Sequence, residues 1–241
     1  MRNVATLVKG KPRRRASHDG VQEIQHHCWN GSEARAFVEA AKAAGPQPAS
    51  FYALALDSGA RKAELCGLAW SEVDLRAGTV TISRQLVKRG PPPLFGPLKA
   101  GRPRVLDVSA ETLTLLRKHH SHQAELKLAN RLHYHDYGLV FAKEWGHLHR
   151  NVDTLGDPVQ SNNIGQREFA VLTKAAGVKR IKFHGMRHTS ATLMLLAGIS
   201  PKVVQERLGH SSIEITMDIY MHVIPQMGQD AAAKLGVILH G

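Results

Sequence analysis

A chain of 241 residues is long enough for one large domain or two small ones with a real core. Its 43% hydrophobic and 22% charged content is that of an ordinary globular protein, but the formal net charge of +12 is not neutral in its implications: phosphate contacts release condensed counterions, so a surplus this basic favours nucleic-acid partners. No apolar run reaches membrane-spanning length and the N-terminus lacks the apolar core of a signal peptide, so no membrane partner is expected and the expected compartment is a reducing cytosol.

Residues 1–25 are polar and carry the basic run Lys9, Lys11, Arg13, Arg14 and Arg15, which reads as a tail or linker able to lie along a DNA backbone. Ser32 is the expected N-cap of an alanine-rich helix that stops at Gly45-Pro46. Residues 49–57 read as a buried helix ending at Ser58-Gly59, and Arg61 opens another through Leu68, with Glu64 three positions on and on the same face. Cys28 and Cys66 have no metal-type spacing, and Cys66 within an apolar run reads as a buried free thiol.

Thr79–Ser83 alternates and is β-branched, which predicts a strand; Arg104–Val108 reads as a second, with a Pro/Gly-rich loop from Gly90 to Pro97 and Lys99 between them. Ser109 caps a long helix to about Arg131. A short strand is expected at 139–141, loop at 144–163 and helix at 164–176. Downstream, one helix stops at Gly198. Ser200-Pro201 offers N-cap and N1 for a helix stopping at Gly209, and Ser211 with Glu214 forms a capping box for the helix carrying Tyr220. A weak helix follows at 229–239. The expected class is α+β, mostly α-helical with a small antiparallel β-sheet.

The chemistry concentrates in His184-Gly185-Met186-Arg187-His188, Leu208-Gly209-His210 and Tyr220, with Arg61 far upstream. Arginines and histidines can hold a phosphodiester and spread its charge, and a tyrosine can attack phosphorus and conserve the bond energy in a covalent ester. Taken singly, each has a blander reading: Arg61 and Arg187 as ion pairs, His184 and His210 as structural histidines, Tyr220 as a core aromatic. His119, His120, His122, His133, His135, His147 and His149 lack cysteine or carboxylate ligands at metal spacing and read as a solvated face.

These segments, with Asp57–Leu65, Leu68-Ala69-Trp70 and Leu98–Arg102, resemble in order and spacing the catalytic domain of the tyrosine recombinases of phage-integrase type. The resemblance runs over residues 26–241 and implies that the usual N-terminal core-binding domain is absent. It implies site-specific cleavage and rejoining of double-stranded DNA through a 3′-phosphotyrosyl intermediate. Tyr220 is then the nucleophile, Arg61 and Arg187 the clamp on the non-bridging oxygens, and His184 the proton acceptor. His210 donates to a phosphate oxygen, and Lys99 is the general acid for the 5′ oxygen, with Lys88 as competitor. Glu64 supports Arg61, and His188 braces the helix. No metal or other cofactor is implied, self-association as a tetramer on DNA is, and the setting is a bacterial cytosol near the nucleoid. The rival readings are relaxation of a single duplex in the manner of type IB topoisomerases, and a DNA-binding module without catalysis.

Overall fold

The computed structural model describes residues 27–88, 90, 92–99, 102–144, 154–159, 163–214, 216–217, 219 and 235–240; the basic run near the N-terminus, His147, His149 and Tyr220 lie outside them. Trp29 is buried at the start of the described chain, where its backbone N–H donates to Thr189 Oγ1 at 2.9 Å. Helix α1 (Gly31–Ala43) follows. Its N-cap is Asn30, not Ser32: the Asn30 side chain accepts from the Glu33 N–H while Glu33 reaches back to the Asn30 N–H, so the capping box sits two residues earlier than the serine suggests.

Helix α2 (Pro46–Ser58) is the central rod. It starts three residues before the expected 49 because Pro46 fits the first helical turn. Phe51, Tyr52, Ala53, Leu54 and Ala55 are all buried, so it shows no polar face; α1, the long helix α4 (Ala110–Ala129) and helix α6 (Phe183–Leu196) pack around it. Phe37, Tyr52, Phe169 and Phe183 gather on it with Trp29, Phe37 meeting Tyr52 edge-on at 5.2 Å. The short α3 (Lys62–Gly67) leads through Trp70–Glu72 to the strands.

The antiparallel sheet is β1 (Val73–Asp74), β2 (Thr79–Ile82) and β5 (Arg104–Asp107) in the order β1-β2-β5, with Val80 opposite Leu106 and Ile82 opposite Arg104. A second sheet was not expected: the hairpin of β3 (Gln85–Lys88) and β4 (Leu94–Gly96) packs on α3, and β4 falls within the Gly90–Pro97 stretch expected to be loop. Gly67 permits that contact: a Cβ there would lie 2.8 Å from the Leu86 backbone nitrogen. The expected strand at 139–141 is reduced to a single bridge between Leu139 and Ala69.

Helix α4 (Ala110–Ala129) is capped by Ser109, as its sequence predicts. His119 departs from the solvated reading. It is fully buried in α4, its Nε2 lies 2.7 Å from the Val140 carbonyl and its ring stacks on Phe141. The expected helix at 164–176 divides into a π-helical turn, Asn163–Glu168, and α5 (Phe169–Ala175). Helix α6 (Phe183–Leu196) and helix α7 (Pro201–Leu208) follow, α7 with Ser200 as N-cap and Gly209 closing it in the left-handed region (φ 68°). Helical backbone returns at 213–214, 216–217 and 219, where Glu214 N–H donates to Ser212 Oγ. Ile219 is buried against Ala191, Leu195, Val204 and Leu208. Residues 235–240 are helical. Cys28 and Cys66 are both free and buried.

Candidate active site

Two helix ends and two helix starts converge to build the site. Helix α2 ends at Gly59, whose φ of 59° is available to glycine at little cost. The turn is tight: a Cβ on Gly59 would lie 2.2 Å from Leu208 Cδ2. The Gly59 carbonyl accepts from Arg187 Nη1 at 2.7 Å. Helix α7 ends at Gly209, whose carbonyl accepts a longer bond, 3.4 Å, from Arg61 Nη2. The negative end of each helix dipole therefore faces a guanidinium.

Arg61 sits at the N-cap of α3. Its backbone N–H donates to Glu64 Oε2 at 3.0 Å and its Nη1 to Glu64 Oε1 at 2.9 Å, which realises the pairing that the three-residue spacing predicts. Glu64 is 1% exposed. Burial pushes its carboxyl upward, but the charge and hydrogen bond of Arg104, together with Arg61, outweigh this and hold it below its ordinary value.

Arg187 projects from the first turns of α6 and is 4% exposed. Burial, then Arg61, pulls its guanidinium down to about 9, so it remains a cation at neutral pH. Its Nη1 is taken by Gly59, while Nη2 is buried without an acceptor among the described residues. His184, one turn earlier on the same helix, is exposed; partial desolvation, then Arg187 and Arg61, lower its pKa. His188 stands edge-on to His184 with ring centroids 4.9 Å apart and is pulled down to about 4 by burial and then by His184 and Arg187. His210 follows Gly209. Its Nδ1 lies 2.9 Å from Thr216 Oγ1, and burial, then Arg187 and Arg61, bring its pKa to about 4.

The fold thus brings together Arg61, Glu64, His184, Arg187, His188 and His210 from three separated segments. Lys99 is exposed on the segment leaving β4, and its competitor Lys88 is exposed at the end of β3, so both lysines belong to the hairpin carried by α3. A cavity of about 480 Å³ adjoins His184 and is lined by Lys62, Arg180 and Lys182 together with Phe183. Tyr220 lies outside the described residues, next to the buried Ile219.

Sequence reasoning missed Arg104. Its Nη2 donates to Glu64 Oε2 at 2.7 Å, so one buried carboxylate serves two guanidiniums. Arg104 and Glu64 are 40 positions apart, beyond any local pattern; the one available signal was a charged residue opening a strand that otherwise buries Leu106.

Three comparisons with known proteins bear on this arrangement. The model of the Phage integrase family matches residues 29–227. A "Tyrosine recombinase XerC-like" protein of Caldanaerobacter subterraneus subsp. tengcongensis is 29% identical over 226 residues, 88% of this chain and 54% of that protein. "Prophage integrase IntR" of Escherichia coli (strain K12) is 28% identical over 231 residues, 92% of this chain and 54% of its own length. The chain therefore spans about half the length of these relatives. Among solved structures, the XerA recombinase aligns with TM-score 0.63 at 23% identity, covering 85% of this chain and 64% of that one. The Tn1549 transposon integrase in complex with transposon right end DNA aligns with TM-score 0.61 at 21% identity, covering 85% and 66%. A lambda integrase tetramer bound to a Holliday junction aligns with TM-score 0.52 at 19% identity, covering 80% and 47%. The guanidinium and imidazole cluster closed by Gly59 and Gly209 falls within the matched span, and the chain belongs to the phage integrase family.

Proposed function

We propose that this chain cleaves and rejoins double-stranded DNA at specific sites through a 3′-phosphotyrosyl intermediate, as a tyrosine-type recombinase. The observation that carries the reading is the buried Arg187 Nη2. Among the described residues it has no acceptor, and a buried guanidinium N–H left unpaired costs about as much as a lost charged hydrogen bond, which supports a site for an oxyanion supplied from outside. Membership of the phage integrase family supports it, as do the DNA complexes of the Tn1549 integrase.

In this reading Arg187 Nη2 and the Arg61 fork hold the two non-bridging oxygens of the scissile phosphate, where charge accumulates as phosphorus becomes five-coordinate. Tyr220 attacks in line, and its proton passes to His184. That histidine's lowered pKa keeps it neutral and able to accept. His210 is neutral as well; with Thr216 donating to Nδ1, its Nε2–H donates to a phosphate oxygen. Lys99 protonates the departing 5′ oxygen. The 3′ phosphate is then esterified to tyrosine and a 5′ hydroxyl is free; attack by a 5′ hydroxyl reverses the steps, one phosphoester replacing another with no external energy source. Two arginines, a lysine and histidines supply the charge stabilisation throughout. Lys62, Arg180 and Lys182 beside His184 supply backbone contacts on the flanking DNA. Recombining two duplexes needs several such sites at once, so the chain assembles as a tetramer on DNA. The lambda integrase tetramer on a Holliday junction is the precedent among its structural neighbours.

A pool of nicked duplexes with randomised sequence tests the reading, because loss of the short nicked fragment traps any covalent complex. The wild type should give an SDS-resistant adduct in EDTA. Absence of an adduct from the whole pool would reject the proposal.

A further inference from the structure

Arg104 joins the two halves of the cationic cluster. It is the first residue of β5, backbone-paired with Ile82, and its side chain is 10% exposed. Nη2 donates to Glu64 Oε2 at 2.7 Å, and Nε donates to the Arg207 carbonyl in the last turn of α7 at 2.9 Å. Its guanidinium lies against Gly209: a Cβ there would stand 3.0 Å from Nη1 and 3.1 Å from Cζ. Arg207 answers from the other side, with its own Nη2 donating to Asp57 Oδ1 at 2.8 Å and to the Asp107 carbonyl at 2.7 Å. The end of α7 is thereby stapled to the end of α2 and to both ends of β5.

We propose that Arg104 is a positioning residue for the phosphate site: through Glu64 it orients the Arg61 guanidinium, and through the Arg207 carbonyl and the face of Gly209 it sets the turn that presents His210. The inference rests on the proposed DNA-cleaving function. Among the described residues, Arg61 has only the long side-chain bond to Gly209 besides its contacts with Glu64, so its orientation follows that carboxylate. The carboxylate is buried, and the planar fork of Arg104 fixes the oxygen that Arg61 Nη1 does not take. Arg104 is spent on protein atoms, which separates it from Arg187, whose Nη2 has no acceptor among the described residues.

Arg104→Met keeps the length of the side chain and removes the fork. In single-turnover reactions with the nicked duplexes trapped by the wild type, it should slow adduct formation about 10- to 100-fold while leaving DNA affinity unchanged. In Arg104→Ala, millimolar guanidinium should restore part of the rate; in Arg104→Met, where the side chain fills the slot, it should not. Wild-type rates in Arg104→Met, a loss of affinity that matches the loss of rate, or no rescue of Arg104→Ala would each overturn the proposal. A DNA-free readout separates this inference from the function it rests on: ¹⁵N relaxation of the Arg61 Nε–H should show an ordered side chain in the wild type and a mobile one in Arg104→Met. Unchanged order overturns the inference even if no adduct forms, whereas absence of adduct with the wild type overturns the function alone. Arg104→Lys, which keeps a cation beside Glu64 but cannot also hold the Arg207 carbonyl, should fall between, and it serves if the methionine variant does not fold.

Discussion

Arg187 combines near-complete burial, a carbonyl partner on one nitrogen and, among the described residues, no acceptor on the other. Loss of one preorganised donor to a developing oxyanion costs about 2.7–4 kcal/mol, or about 10²- to 10³-fold in rate. Arg187→Lys, which lacks the fork, should therefore lose cleavage on that scale in single-turnover assays while still binding DNA; a loss of only a few-fold contradicts the clamp. Histidines give a second prediction. His119, His188 and His210 are pulled to about 4 in the folded chain, against about 6.5 when unfolded, mainly because burial disfavours the charged ring. Between these values the unfolded chain binds more protons, so these histidines' contribution to stability is complete above about pH 6.5 and falls as the pH drops toward 4. Chemical denaturation across that range checks it, and a flat profile contradicts it. At this scale the sequence was legible where partners are local. Arg61 with Glu64 and His184 with Arg187 follow from three-residue spacing. The burial of His119 and the role of Arg104 depend on segments 21 and 40 positions away, which no local pattern reports.

Elements carry the site by where they end. Gly59 closes α2 at positive φ with no room for a methyl group beside Leu208, and its carbonyl holds Arg187. Gly59→Ala should cost about 1–3 kcal/mol in urea denaturation through strain and overlap, and it should also slow cleavage by moving that carbonyl. A variant of wild-type stability would show that the turn is not as tight as described. Ser200 donates its N-cap function to α7, with Val203 N–H as donor to its Oγ, so Ser200→Ala should cost about 1 kcal/mol. The long α4, the stop at Gly209 and the Ser200-Pro201 start were all readable because cap residues and periodicity agree there. The hairpin was not. Its strands have four and three residues, carry a register shift between Leu86 and Lys88, and are held by packing on α3 rather than by alternation. Asn30 over Ser32 was a choice between neighbouring caps that only the Glu33 partnership decides.

The whole molecule is basic, and its net charge of +12 should appear as strongly salt-dependent DNA binding. Lys182→Ala, beside His184 in the cavity, should reduce the slope of log affinity against log salt by about one without changing sequence preference. An unchanged slope would remove that lysine from the backbone contacts. Fold class and family were legible from short segments in fixed order, several of which fall at helix ends, as Gly59, Arg61 and Gly209 do. Among the described residues no helix is long and apolar enough to cross a membrane.

Tyr220 is the proposed nucleophile, and peptide mapping addresses that assignment most directly. The SDS-resistant adduct recovered from the randomised nicked pool should be digested with protease and nuclease, and its nucleotide-bearing peptide sequenced by mass spectrometry. The expected result is a 3′-nucleotide esterified to Tyr220, with no adduct from Tyr220→Phe. A nucleotide on any other side chain, or an adduct that persists in Tyr220→Phe, would contradict the account.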